Sequence, residues 1–124
     1  MILYVAGVFE SQARLREVRN QLEDLGHTVN STWLDEHGPT PGHLSLGEMT
    51  QYAIRDLGEV RVCHLLLLDT FDTNERGGRE FEAGFGMGVG VQVLRVGPVR
   101  NVFHSLVQGF GSWEEAYAWL REMV

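Results

Sequence analysis

The chain has 124 residues, 44% of them apolar and 22% charged, which is the size and balance of one globular domain able to build a core unaided. A net charge of −7 speaks against a nucleic-acid polymer as partner, because phosphate backbones call for a basic stripe; one or two local arginines still suffice for a small anion. Cys63 stands alone, so no internal disulfide forms and a reducing, cytoplasmic setting fits, and no apolar window nears the ~18 residues of a membrane span.

Residues 2–6, Ile-Leu-Tyr-Val-Ala, read as a buried strand closed by Gly7; this apolar opening lacks the basic flank of a signal peptide. Ser11 is a candidate N-cap, after which Leu15, Val18, Leu22 and Leu25 recur at helical spacing up to Gly26, a fitting C′ glycine. Residues 27–34 predict a second strand, and 35–43 a polar loop broken by Pro39 and Pro41. Ser45 and Glu48 have capping-box spacing and open a helix to about Val60. Its buried stripe is predicted to be Leu46, Met49, Ala53, Leu57 and Val60, with Asp56 at the stripe's edge. Residues 62–68 form the near-continuous apolar run of a central strand, with Cys63 as a small buried hydrophobe inside it and Asp69 at its end. A helix then begins near Gly78. A strand at 91–96, a turn and short helix over 97–106, and a short strand at 107–110 follow. The last helix starts at Ser112, whose spacing to Glu115 repeats the capping box.

Strands alternating with helices imply right-handed βαβ units. The expected fold is α/β: a flavodoxin-like, doubly wound, five-stranded parallel sheet in a three-layer αβα arrangement. Ligands in such sheets bind beyond the carboxyl ends of the strands. That directs attention to Ala6–Ser11, Trp33–Gly38 and Asp69–Glu82.

The third stretch is the richest. Arg-Gly-Gly-Arg-Glu-Phe-Glu-Ala-Gly-Phe-Gly-Met-Gly-Val-Gly (76–90) carries six glycines in fifteen positions. Glu82 falls near the start of the helix, where free N–H groups and the helix dipole are expected to keep it ionised. An ionised, fixed carboxylate serves as a nucleophile or stabilises an oxocarbenium ion. Each interior glycine costs a helix about 1 kcal/mol, so close packing against the sheet, a neighbour or a ligand is expected in return. Arg76 and Arg79 flank Gly77 and Gly78 as a candidate anion-binding corner. Asp69 and Asp72 are candidate loop caps or ligand contacts. The glycines do not follow the first strand, so they are no dinucleotide fingerprint. His27, His37, His43, His64 and His104 show no metal-ligand spacing, and neither metal nor cofactor is expected.

The segment 78–98 resembles the signature of the nucleoside 2-deoxyribosyltransferase-like family, in which a Glu is followed by x-Gly-[Tyr/Phe]-Ala. Residues 2–11 look like that family's opening strand and loop, and 55–69 like its Asp-bearing helix and third strand. The tail from 97 to 120 resembles a phage and bacterial subgroup with an Arg-Gly-Gly-Arg loop. The resemblance implies cleavage of the N-glycosidic bond of a 2′-deoxynucleoside or its 5′-monophosphate, with transfer to another base or to water. It assigns Glu82 as nucleophile, Asp56 to the sugar and base, and Gly7 and Phe9 to the loop holding the nucleobase. Asp69, Arg76, Gly77, Gly78 and Arg79 complete the expected substrate-binding set. It also implies a homodimer or larger homo-oligomer, with a small nucleoside or nucleotide as partner.

The sequence departs from the family at four places. Arg76 stands near a usual loop Asp, His64 replaces an Asp at the head of the third strand, Gly86 replaces Ala, and Val91 stands where a Lys is common. The arginine pair suits an anionic substrate. Two other readings use the same fold: a nucleotide-binding sensor without turnover, and an interaction module with Trp33 and Phe110 as surface anchors.

Overall fold

The computed structural model describes residues 1–36, 44–73 and 76–123. Strands β1 (Ile2–Ala6), β2 (Thr28–Val29), β3 (Leu65–Asp69), β4 (Gln92–Val96) and β5 (Gly109–Phe110) form one parallel sheet in the order β2-β1-β3-β4-β5. Helices α1 (Gln12–Asp24), α2 (Leu46–Val62), α3 (Gly78–Gly88) and α4 (Trp113–Arg121) connect or follow them. α1 packs with α4 and α2 packs with α3. This is the expected doubly wound α/β fold, with its order reversing between β1 and β3.

The centre of the sheet is dry. β1 and β3 pair from Leu3–Leu65 to Ala6–Leu68, and Leu3, Tyr4, Val5 and Leu65 to Leu68 are all buried. An aliphatic run with helices on both faces has no solvent side to alternate toward. On α1, Leu15, Val18 and Leu22 form the buried stripe, and Gly26 takes a φ of 99° just beyond the helix.

Several elements differ from expectation for local reasons. The second strand stops at Val29, and Thr32–Asp35 is a 3₁₀ turn. Side chains replace the ladder there: Val5 N donates to Ser31 Oγ at 2.6 Å, and Trp33 Nε1 donates to Val5 O at 2.8 Å. Trp33 is therefore buried rather than a surface anchor, while Phe110 is half-buried against Trp119. α2 runs to Val62 and β3 starts at Leu65, so Cys63 lies at the helix end, buried, with Sγ donating to Val60 O at 3.1 Å. The capping box at Ser45 and Glu48 is complete. The stripe predicted on α2 is not: Leu46, Met49 and Ala53 are exposed, Leu57 is half-buried, and only Val60 reaches the core. Ser11 precedes α1, but its hydroxyl donates to Asp72 instead of capping the helix. The short helix expected over 97–106 is a single 3₁₀ turn, His104–Leu106. At α4, Ser112 Oγ accepts from Glu115 N, while the Glu115 carboxylate accepts from Gly111 N. The loop predicted at 35–43, with His37 and His43, lies outside the described residues from position 37 on.

The glycines of α3 divide by face. A Cβ at Gly86 would meet Val60, Val93 and Leu66 at 3.3, 3.5 and 3.7 Å, so this one lets the helix lie close on the sheet. A Cβ at Gly84 or Gly88 would meet nothing within 4 Å, so close packing does not explain those two. Gly90, with φ 88°, ends the helix rather than interrupting it. Gly84→Ala is expected to stabilise the fold by about 1 kcal/mol through helix propensity alone. Gly86→Val is expected to destabilise it by roughly 1–3 kcal/mol through overpacking. Urea unfolding midpoints of the two variants check both signs.

Candidate active site

A crevice of about 180 Å³ opens at the carboxyl ends of the strands. The turn after β1 contributes Gly7, Val8, Phe9 and Glu10. Trp33 and Glu36 come from the region of the 3₁₀ turn, and Asp56 from α2. Arg76, Gly78, Arg79 and Glu82 come from the start of α3. Seven of the predicted site residues thus meet here: Gly7, Phe9, Asp56, Arg76, Gly78, Arg79 and Glu82.

Glu82 sits in the second turn of α3, beyond the unpaired amides of the first. Its neighbour across the fold is Tyr4, whose hydroxyl donates to Glu82 Oε2. Burial pushes the Glu82 carboxyl up to about 8, helped by the negative charges of Asp56 and Glu59 and opposed by the Tyr4 hydrogen bond. The expectation that the helix dipole keeps Glu82 ionised is therefore corrected: desolvation outweighs a dipole that fades within one turn. Tyr4 is itself driven upward, first by burial and then by Glu82.

Asp56 is pushed up to about 6, again by burial, with Arg55 holding it down. Arg55 Nε and Nη2 lie 3.1 and 2.9 Å from Asp56 Oδ1, and Nη2 also reaches Glu36. Glu59 is turned toward the 3₁₀ turn, accepting from Thr32 Oγ1 at 2.7 Å and Thr32 N at 3.2 Å. The crevice thus gathers several carboxylates, with the Arg55 guanidinium shared between Asp56 and Glu36 and with Arg76 and Arg79 on its border.

The remaining predicted residues lie elsewhere or have other duties. Asp69 is not in the crevice. It is buried, held by both Arg14 terminal nitrogens at 2.9 and 2.8 Å and by Trp113 Nε1 at 2.7 Å. Asp72 accepts from Ser11 and Arg14, which holds its carboxyl below the usual range. Gly77 takes a φ of 80° as the residue before α3 and borders an apolar groove on the other side of that helix. Arg79 borders the crevice, but its guanidinium donates to Asp72 O at 2.6 Å, Asp69 O at 3.2 Å and Glu80 at 2.9 Å. Glu80 faces away from Glu82, toward Arg79 and His104. Among the described residues, no group of three His, Cys, Asp or Glu is placed to hold a metal ion.

Tyr4, Glu10, Trp33 and Glu36 were not foreseen as site residues. Tyr4 had a signal: a phenol in an aliphatic strand needs a hydrogen-bond partner once buried.

No family model and no curated protein matches the sequence. Solved structures match the fold. A 2-deoxyribosyltransferase from Bacillus psychrosaccharolyticus superimposes with a TM-score of 0.78 at 21% identity, over 94% of this chain and 90% of that one. A 2-deoxyribosyltransferase from Leishmania mexicana gives 0.70 at 16%, over 98% and 97%. A CMP N-glycosidase from Clostridium botulinum gives 0.62 at 14%, over 100% of both chains. The fold is therefore that of nucleoside deoxyribosyltransferase-like proteins. No helix among the described residues is long and apolar enough to cross a membrane.

The raised Glu82 carboxyl has a consequence for stability. Its folded value, about 8, exceeds its ordinary 4.5, so the folded state holds the proton more tightly than the unfolded one. Its stabilising share is complete below about 4.5 and is lost as pH rises toward 8. Glu82→Gln removes the titration. The variant is expected to match wild type near pH 4.5 and to exceed it by on the order of a few kcal/mol above pH 8. Thermal unfolding of both proteins across that range measures the difference.

Proposed function

We propose that the protein cleaves the N-glycosidic bond of a 2′-deoxynucleoside or its 5′-monophosphate, with Glu82 as nucleophile. The observation that carries this reading is the Glu82 carboxyl, half-buried in a crevice at the strand ends and engaged by Tyr4. In its ionised form Glu82 attacks the anomeric carbon. A C1′–oxygen bond forms as the C1′–nitrogen bond breaks, and the electron pair leaves with the base. Water or a second base then attacks C1′, the C1′–oxygen pair returns to the Glu82 carboxylate, and the proton lost by the attacking group is matched by the one the departed base anion takes from solvent. Tyr4 donates to the carboxylate, orienting it and favouring its charged form. Asp56, paired with Arg55, stays largely ionised at neutral pH and accepts a hydrogen bond from a sugar hydroxyl. Gly7 lets the turn after β1 lie against Leu15, where a Cβ would not fit, and Phe9 beside it supplies an aromatic face for the base. The substrate is a small nucleoside or nucleotide.

A homo-oligomer belongs to the same reading. Leu46, Met49 and Ile54 are exposed on α2, the helix that carries Asp56. A second copy covering that helix would shelter the apolar side chains and narrow the crevice together.

The alternative reading, a nucleotide-binding sensor without turnover, draws on the carboxyl's raised value, which leaves Glu82 mostly protonated at neutral pH. Released base, separated chromatographically after incubation with a panel of deoxynucleosides and their monophosphates, decides between the two. Wild type is expected to release base, and Glu82→Gln to lose at least ~10³-fold in rate. The wild-type rate is expected to rise with pH and level off above about 8, as Glu82 ionises. Tyr4→Phe is expected to move that limb upward, because a donor to the anion is gone. A bell between the Asp56 and Glu82 values would instead give Asp56 the role of proton donor.

A further inference from the structure

The crevice carries an asymmetry of charge that bears on which substrate enters. Among the described residues bordering it, the guanidinium groups are those of Arg76 and Arg79. Arg79 is only 2% exposed and is spent on the carbonyl oxygens of Asp69 and Asp72 and on Glu80. Turning it toward a ligand would take this donor from the two buried carbonyls. Arg76 lies at the mouth, where its Nη1 is 2.9 Å from Glu10 Oε1. Glu10 belongs to the turn after β1, and Arg76 directly precedes the cap of α3. Their ion pair therefore spans the opening between the two segments.

Glu82 lies five residues along the helix from its Gly77 cap, an axial distance of about 7 Å. Arg76 and Glu82 border one crevice, so a sugar held at Glu82 shares that crevice with the Arg76 side chain.

We propose that Glu10 is a specificity residue: its carboxylate occupies Arg76 and turns the crevice against a 5′-phosphate and toward an uncharged nucleoside. This inference rests on the reading of the crevice as an N-glycosidic site. A phosphate reaching Arg76 competes with Glu10 for one guanidinium and meets a like charge beside it. Glu36, Asp56 and Glu82 border the same crevice and reinforce the repulsion whenever they are ionised. The arginine pair that suited an anion in the sequence is thus one buried structural cation and one cation already matched. The Glu10 and Arg76 side chains are 61% and 62% exposed, so removing their charges leaves the fold intact.

The test gives wild type and Glu10→Gln a 2′-deoxynucleoside and its 5′-monophosphate carrying the same base, and quantifies released base. The monophosphate-to-nucleoside ratio of kcat/KM is expected to rise about tenfold in Glu10→Gln at low ionic strength and to shrink with added salt. It is expected to fall back in Glu10→Gln/Arg76→Ala. An unmoved ratio, or a wild type that already favours the monophosphate, overturns the role of Glu10. If wild type releases base from neither compound, the N-glycosidic reading fails instead. Calorimetric titration with the monophosphate then still decides: about tenfold tighter binding in Glu10→Gln supports the role, and equal affinities overturn it.

Discussion

Three arginines hold the turn that follows β3, and the site depends on that grip. Arg79 donates to Asp69 O and Asp72 O, Arg100 to Thr70 O and Phe71 O, and Arg14 to the carboxylates of Asp69 and Asp72. Backbone carbonyls that leave a sheet need partners, and planar guanidinium forks supply several in fixed directions. The three come from α3, from the segment after β4 and from α1. The turn is therefore referenced to both helical layers and to the far half of the sheet. Where it ends, α3 begins, and the position of Glu82 follows. Trp113 on α4 adds a fourth support through Asp69.

This wiring also sorts the charges. Asp69, the carboxylate nearest the strand end in sequence, is turned to the α1 and α4 side and neutralised there. The acids that remain in the crevice are Glu10, Glu36, Asp56 and Glu82. Burial then separates two of them, raising Glu82 more than Asp56, because Arg55 lies against Asp56 while Glu82 has a neutral phenol. Carboxylates of one chemistry acquire different protonation through their neighbours alone.

The architecture and the place of the candidate crevice were legible from periodicity and strand ends. The helical spacing of Leu15, Val18 and Leu22, the capping box at Ser45 and the aliphatic run ending at Asp69 are local patterns with local causes. What escaped was long-range. Tyr4 and Glu82 are 78 positions apart, and only the folded chain joins them. The second strand failed because Ser31 and Trp33 offer side-chain partners to Val5, so the ladder is satisfied without strand backbone. The stripe on α2 has the right period, but periodicity reports an apolar face and not what covers it. Arg79 was read as part of an anion-binding corner because it flanks two glycines at a helix start; its burial depends on carbonyls that no sequence pattern marks.

Glu82 and Gly86 are one helical turn apart and so share a face of α3. At Gly86 the helix comes within van der Waals reach of Val60 on α2, Leu66 on β3 and Val93 on β4. A side chain there would lift this end of the helix off the sheet. The phenol of Tyr4 rises from β1, so such a lift would draw the Glu82 carboxyl away from it. The glycine and the carboxylate therefore form one device: the first sets the helix's height above the sheet, and that height brings the second into the crevice against a hydrogen-bond donor. Gly84 and Gly88, on the outer face, take no part in it. The glycine-rich composition of the segment thus contains one position whose smallness the proposed chemistry requires.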